Sequence, residues 1–172
     1  MPTPIHILHA MTTAARLLLV EDDPADARLV LDALADLHLG DHILVIPDGL
    51  EALEYLYACG RYRGRPPGHP AVILLDINLP HLSGHEVLTQ IRADPGLRCI
   101  PVVMLTASNQ DSDLSRAYAL GANGYLVKTI DFAASNAALM AFTQSCIAAK
   151  EPPLGLLRSP HSPTPPPPPG LL

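Results

Sequence analysis

Five short, unbroken apolar runs punctuate the chain: RLLLV (16–20), HILVI (42–46), AVILL (71–75), PVVML (101–105) and GYLV (124–127). A half-exposed strand alternates apolar and polar residues, so continuous runs of this length mean strands buried on both faces. Such strands pair side by side in a parallel sheet that is covered by helices above and below. A helical stretch follows every run. In PADARLVLDALADL (24–37), Leu29, Val30, Ala33, Leu34 and Leu37 are expected on one face, with Asp23 as N-cap and Pro24 at the first helical position. In GLEALEYLYACG (49–60) the expected core face is Leu50, Leu53, Leu56 and Tyr57. GHEVLTQIRAD (84–94), DSDLSRAYALG (111–121), closed by Gly121, and DFAASNAALMAFTQSCIAA (131–149) complete the set. Five strand–helix pairs with right-handed crossovers predict a doubly wound α/β domain with strand order 2-1-3-4-5.

The domain is expected over residues 14–149. Residues 1–13 read as a flexible arm. Residues 150–172 read as a disordered tail, because nine of the 21 residues from 152 onward are proline. A formal net charge of −6 argues against a nucleic-acid surface. Cys59, Cys99 and Cys146 form no paired motif, so reduced thiols are expected rather than disulfides or zinc. No apolar run approaches the ~18 residues of a membrane span. The N-terminus lacks the basic start and long apolar stretch of a signal peptide. The expected setting is cytoplasmic.

In a doubly wound sheet the functional crevice lies at the carboxyl ends of the strands, between the first and the third. The first run ends in Glu21-Asp22-Asp23, the third in Asp76-Ile77-Asn78, the fourth in Thr106-Ala107-Ser108 and the fifth in Lys128-Thr129. Clustered carboxylates repel one another unless a cation compensates. Oxygen ligands from Asp22, Asp76 and the Asn78 carbonyl suit Mg²⁺, with positions left for water and a phosphoryl oxygen. Asp76 is then a nucleophile toward phosphorus. Lys128 and Thr106 are placed to neutralise the charge in transit. Isolated, each has a blander reading: Asp76 as a helix cap, Tyr125 as packing, the basic loop of Arg61, Arg63 and Arg65 as a solvated insertion rather than a docking site. His81 and His85 are not expected to bind metal together, since Pro80 and Gly84 interrupt any helix that would align them.

LLLVEDDPADARLV, VILLDINLPHLSG, VVMLTAS and GANGYLVKT, in this order and spacing, resemble the receiver domains of two-component response regulators, over about residues 15–148. The resemblance implies a flavodoxin-like fold, with Asp76 as phosphoacceptor and Glu21 and Asp22 as the acidic pair, Asp22 binding Mg²⁺ directly and Glu21 through water. It implies switch roles for Thr106, Lys128 and the aromatic Tyr125, and influence on phosphoryl lifetime from Asn78 and Ser108. The long connection CGRYRGRPPGHP (59–70) is similar to that of stand-alone receivers that partner bacterial phytochrome histidine kinases. That likeness implies a sensor kinase partner, a downstream relay or output protein, and a homodimer through helix 4, strand 5 and helix 5. Receivers commonly carry Lys-Pro where this chain has Lys128-Thr129. The protein is expected to catalyse only its own phosphorylation and dephosphorylation. A dehalogenase-type hydrolase is disfavoured because Asn78 stands where that chemistry needs an acid. A scaffold that works without phosphorylation is the alternative.

Overall fold

The computed structural model describes residues 14–107, 111–128, 132–149 and 157–158. Its sheet is built from β1 (Leu17–Val20), β2 (Ile43–Ile46), β3 (Val72–Asp76), β4 (Val102–Thr106) and β5 (Gly124–Val127), in the order 2-1-3-4-5, all parallel. The helices are α1 (Pro24–Ala33), α2 (Gly49–Leu56), α3 (Gly84–Ala93), α4 (Asp111–Ala119) and α5 (Phe132–Ala148). The expected topology is the observed one. Side chains along each strand alternate between two cores. Leu18, Val20, Ile73, Leu75, Val102, Met104 and Tyr125 face α2, α3 and α4. Leu17, Leu19, Val72, Leu74, Val103, Leu105 and Leu126 face α1 and α5. Both faces are apolar and buried, which is why the runs show no polar alternation.

A sixth strand, β6 (Leu157–Arg158), pairs parallel to β5 at the sheet edge. The proline content of this segment predicted no strand. An edge position tolerates it: one side of an edge strand needs no ladder donors, and only two residues pair. The arm over residues 1–13 and the rest of the tail lie outside the described residues.

The helix starts follow local chemistry. Asp23 caps α1, its side chain accepting from the amides of Ala25 and Asp26, with Pro24 at the first position. Asp48 caps α2 in the same way. Ser83 and Glu86 form a reciprocal capping box at the start of α3. Two helix faces differ from expectation. In α1 the buried residues are Ala27, Val30 and Ala33, while Leu29 is 39% exposed. In α2 they are Gly49, Ala52, Leu53, Tyr55 and Leu56, with Leu50 at 49% and Tyr57 at 45% exposed. For α2 the reason is steric. A Cβ on Gly49 would lie 2.2 Å from the Leu82 carbonyl oxygen, so α2 turns its small residue, not Leu50, toward the β3–α3 connection.

The connection between α2 and β3 is ordered by Arg65. Its guanidinium donates to the carbonyls of Tyr55, Leu56, Pro66 and Gly68 and stacks over the Tyr55 ring. Arg61 pairs with Glu51, which also accepts from the Tyr62 hydroxyl. Of the three arginines expected in a solvated loop, Arg65 is therefore a structural anchor. Another arginine, Arg92 of α3, bonds the carbonyls of Arg98, Ile100 and Gly121 and the Asn123 side chain, tying α3 to the entries of β4 and β5.

Candidate functional site

Each site residue stands at the carboxyl end of a strand because the parallel sheet brings all those ends to one side. Glu21 directly follows β1, its amide bonded to the Ile46 carbonyl. Asp76 is the last residue of β3, and all five residues of that strand are buried. Thr106 ends β4 and is fully buried. Lys128 follows β5, its amide donating to the Thr106 carbonyl. Close approach at Gly84 brings the next connection back over the end of β3. A Cβ there would sit 2.1 Å from the Asp76 carbonyl oxygen, and the Gly84 amide donates to Ile77. The turn of VILLDINLPHLSG thus closes on its own aspartate.

The carboxylates of Glu21, Asp22 and Asp76 offer oxygens that all lie within 4.8 Å of one another. Among the described residues this is the one such group of acids, histidines or cysteines. Asp22 faces solvent; Asp76 is 3% and Glu21 2% exposed. Lys128 Nζ lies 2.6 Å from Glu21 Oε2, 2.6 Å from Asp26 Oδ2 and 3.1 Å from Asp76 Oδ1. Asp76 Oδ1 is buried with no aligned hydrogen-bond donor, so Lys128 serves it as a neighbouring charge rather than a hydrogen bond.

The electrostatics follow from this crowding. Burial pushes the Asp76 carboxyl above its ordinary range; Lys128 pulls it back and Asp22 adds to the rise. Burial also raises Glu21, against the hydrogen bond from Lys128. For Lys128, burial alone would favour the neutral amine, but the Asp26 and Glu21 carboxylates outweigh it and push the ammonium up. Three acids, Glu21, Asp26 and Asp76, thus close on one cation, with Asp22 beside Asp76. The arrangement fits a divalent metal, which would find three close carboxylates and an undonated Asp76 oxygen.

Tyr125 is buried in the core shared with α3 and α4 and hydrogen-bonds with the Thr106 side chain. Burial raises its phenol, and that hydrogen bond partly offsets the rise. Asn78 is exposed on the connection after Ile77. Ser108 and Thr129 lie outside the described residues. Asp23, beyond the acidic pair, is the helix cap expected of it, and the amides of Asp26 and Ala25 hold its carboxyl below the usual range. His81 and His85 go separate ways. His81 adopts a left-handed backbone, φ 62°, and pairs with Asp48, while His85 is buried in α3.

Asp26 was missed by sequence reasoning. The available signal was its place in the first turn of α1, directly after β1, where a side chain can look down on the strand ends.

Comparison with known proteins agrees with this geometry. The family model for the response regulator receiver domain matches residues 17–139. Response regulator Rcp1 of Synechocystis is 42% identical over 113 residues, 66% of this chain and 76% of its own length. The structure of the Mn²⁺-bound form of Rcp1 aligns with a TM-score of 0.66 at 35% identity, over 80% of this chain and 97% of that one. The phosphorylated cyanobacterial phytochrome response regulator RcpA aligns with a TM-score of 0.70 at 34% identity, over 82% of this chain and all of that one. The bacteriophytochrome response regulator RtBRR aligns with a TM-score of 0.65 at 42% identity, over 84% and 87% of the two chains. An acidic triad and a lysine at the strand ends, in a chain matched across most of its domain, place this protein in the response regulator receiver domain family, alongside phytochrome-associated response regulators.

Proposed function

We propose that this chain is a single-domain response regulator that accepts a phosphoryl group on Asp76 from a sensor histidine kinase of the phytochrome type. The observation that carries the reading is the meeting of Asp76 with Glu21, Asp22 and Lys128 at the strand ends. The likeness to Rcp1, RcpA and RtBRR supports the kinase class.

In the transfer, an Asp76 carboxylate oxygen forms a bond to phosphorus while the phosphorus–nitrogen bond of phosphohistidine breaks. The imidazole leaves with the electron pair. Lys128 holds positive charge beside the reacting oxygens, and the Thr106 hydroxyl donates to a phosphoryl oxygen. Glu21, Asp22, Asp76 and the Asn78 carbonyl would hold Mg²⁺, which when bound neutralises phosphoryl charge. Water later cleaves the oxygen–phosphorus bond and releases inorganic phosphate, with Asn78 and Ser108 influencing the rate. Movement of Thr106 toward the phosphoryl group repositions Tyr125 and shifts the population of the α4–β5 face that a relay or output protein reads. A homodimer forms through α4, β5 and α5. The catalysis is confined to the protein's own phosphorylation and dephosphorylation, in the cytoplasm.

Intact mass spectrometry after incubation with Mg²⁺ and acetyl phosphate tests the reading. One added phosphoryl group is expected in the wild type, and none in Asp76→Asn or with EDTA. A wild type that neither gains mass nor binds beryllofluoride overturns the reading in favour of a scaffold.

A further inference from the structure

Three carboxylates lie within 3.1 Å of the Lys128 ammonium: it donates a hydrogen bond to Glu21 and pairs by charge with Asp26 and Asp76. A phosphoryl group on Asp76 draws this amine against the pull of Glu21 and Asp26. The three partners differ in what release costs. Glu21 is 1% exposed at its side chain and also accepts the Asp23 amide; stripped of the lysine, it is a buried charge with little water to replace it. Asp76 is the reacting group. Asp26 is 35% exposed at its side chain, so water can take the place of the lysine there. Asp26 is also fixed in place, because its own amide is bonded to the Asp23 cap in the first turn of α1.

We propose that Asp26 is a positioning residue: it holds the Lys128 ammonium in the unphosphorylated site and, by competing for it, sets how readily the amine turns to a phosphoryl group on Asp76. The proposal rests on Asp76 being the phosphoacceptor. It gives α1 a direct part in tuning phosphorylation, through a carboxylate that is neither phosphoacceptor nor metal ligand.

The test compares the full chain with Asp26→Asn, Asp26→Glu and Asp32→Asn. Asp32 lies on the same helix, pairs with Arg28 and is well exposed, so its variant removes the same charge away from the lysine. With acetyl phosphate and Mg²⁺, the phosphorus–oxygen bond to acetate breaks, the bond from Asp76 forms, and acetate leaves. For Asp26→Asn the rate of that step and the affinity for beryllofluoride are expected to rise about two- to fivefold, the scale of one exposed ion pair. Asp26→Glu and Asp32→Asn are expected to stay at the wild-type level. Lys128 is one of two lysines in the chain, with Lys150, so ¹⁵N-lysine labelling reads its ammonium directly. Its ¹⁵Nζ signal is expected to move in Asp26→Asn and not in Asp32→Asn, which a general loss of stability would not reproduce. Equal rates, affinities and Lys128 signals in Asp26→Asn and wild type overturn the proposal alone. An equal gain in Asp32→Asn also overturns it, in favour of long-range charge. A wild type without adduct or beryllofluoride binding overturns the phosphoacceptor reading and the tuning role with it, even if the Lys128 signal moves.

Discussion

Asp76 is held in a protonation balance that its neighbours set. Burial and the charge of Asp22 raise its carboxyl above the ordinary range, with Lys128 opposing them. A group raised in the folded state binds protons more readily folded than unfolded. Its contribution to stability is therefore greatest below the unfolded carboxyl range, about pH 4, and is lost as pH rises through the raised folded value. Asp76→Asn removes that loss. Without divalent cations, it is expected to melt above the wild type at pH 7. The difference should shrink toward zero as pH falls below 4. Thermal melts in EDTA across that range check it; a variant less stable than wild type at pH 7 would mean that Asp76 is held mainly by Lys128. At this scale, much of the site was legible. Glu21, Asp22, Asp76, Thr106 and Lys128 each end or follow an apolar run, and that abruptness is visible in one dimension. Asp26 was not, because its role depends on where α1 leans over the sheet.

At the scale of elements, caps were readable and faces were not. Asp23-Pro24 and the Ser83–Glu86 box announce helix starts through bonds spanning only a few residues. Which side of α2 is buried depends on the Leu82 carbonyl passing over Gly49, a contact across 33 residues of chain that periodicity does not register. The Arg92 clamp is of the same kind. Its side chain is the shared donor for three carbonyls and Asn123, whose own oxygen also accepts the amide that opens β4. Arg92→Met keeps the aliphatic stem and leaves those acceptors without their donor. It is expected to destabilise the domain by about 2–3 kcal/mol. Urea unfolding should show a lower midpoint with an unchanged slope, and a change within 0.5 kcal/mol would assign the clamp to water instead.

For the whole molecule, gathering carboxylate oxygens of Glu21, Asp22 and Asp76 within 4.8 Å of one another makes stability depend on a cation. A ligand that binds only the folded state stabilises by about 2.7 kcal/mol at a hundredfold excess over its dissociation constant. Saturating Mg²⁺ is thus expected to raise the melting temperature of the wild type by several degrees. Asp22→Asn should lose most of that rise, while the increase should persist in Lys128→Met. A wild-type melting temperature indifferent to Mg²⁺ would sink the metal assignment. No helix among the described residues is long and apolar enough to cross a membrane.

The amino-acid order by itself determined the class of architecture, the strand sequence and the strand ends where chemistry gathers. Those follow from local rules: apolar runs too continuous for a one-sided sheet, short caps, and right-handed crossovers. Only the tertiary structure decided that Leu50 and Tyr57 face outward, that Arg65 and Arg92 are anchors rather than surface charges, and that Leu157–Arg158 adds an edge strand. It also decided that Asp26 shares Lys128 with Glu21 and Asp76. These features come from groups distant in sequence competing for the same space, donor or charge, and such competition exists only once the chain is packed.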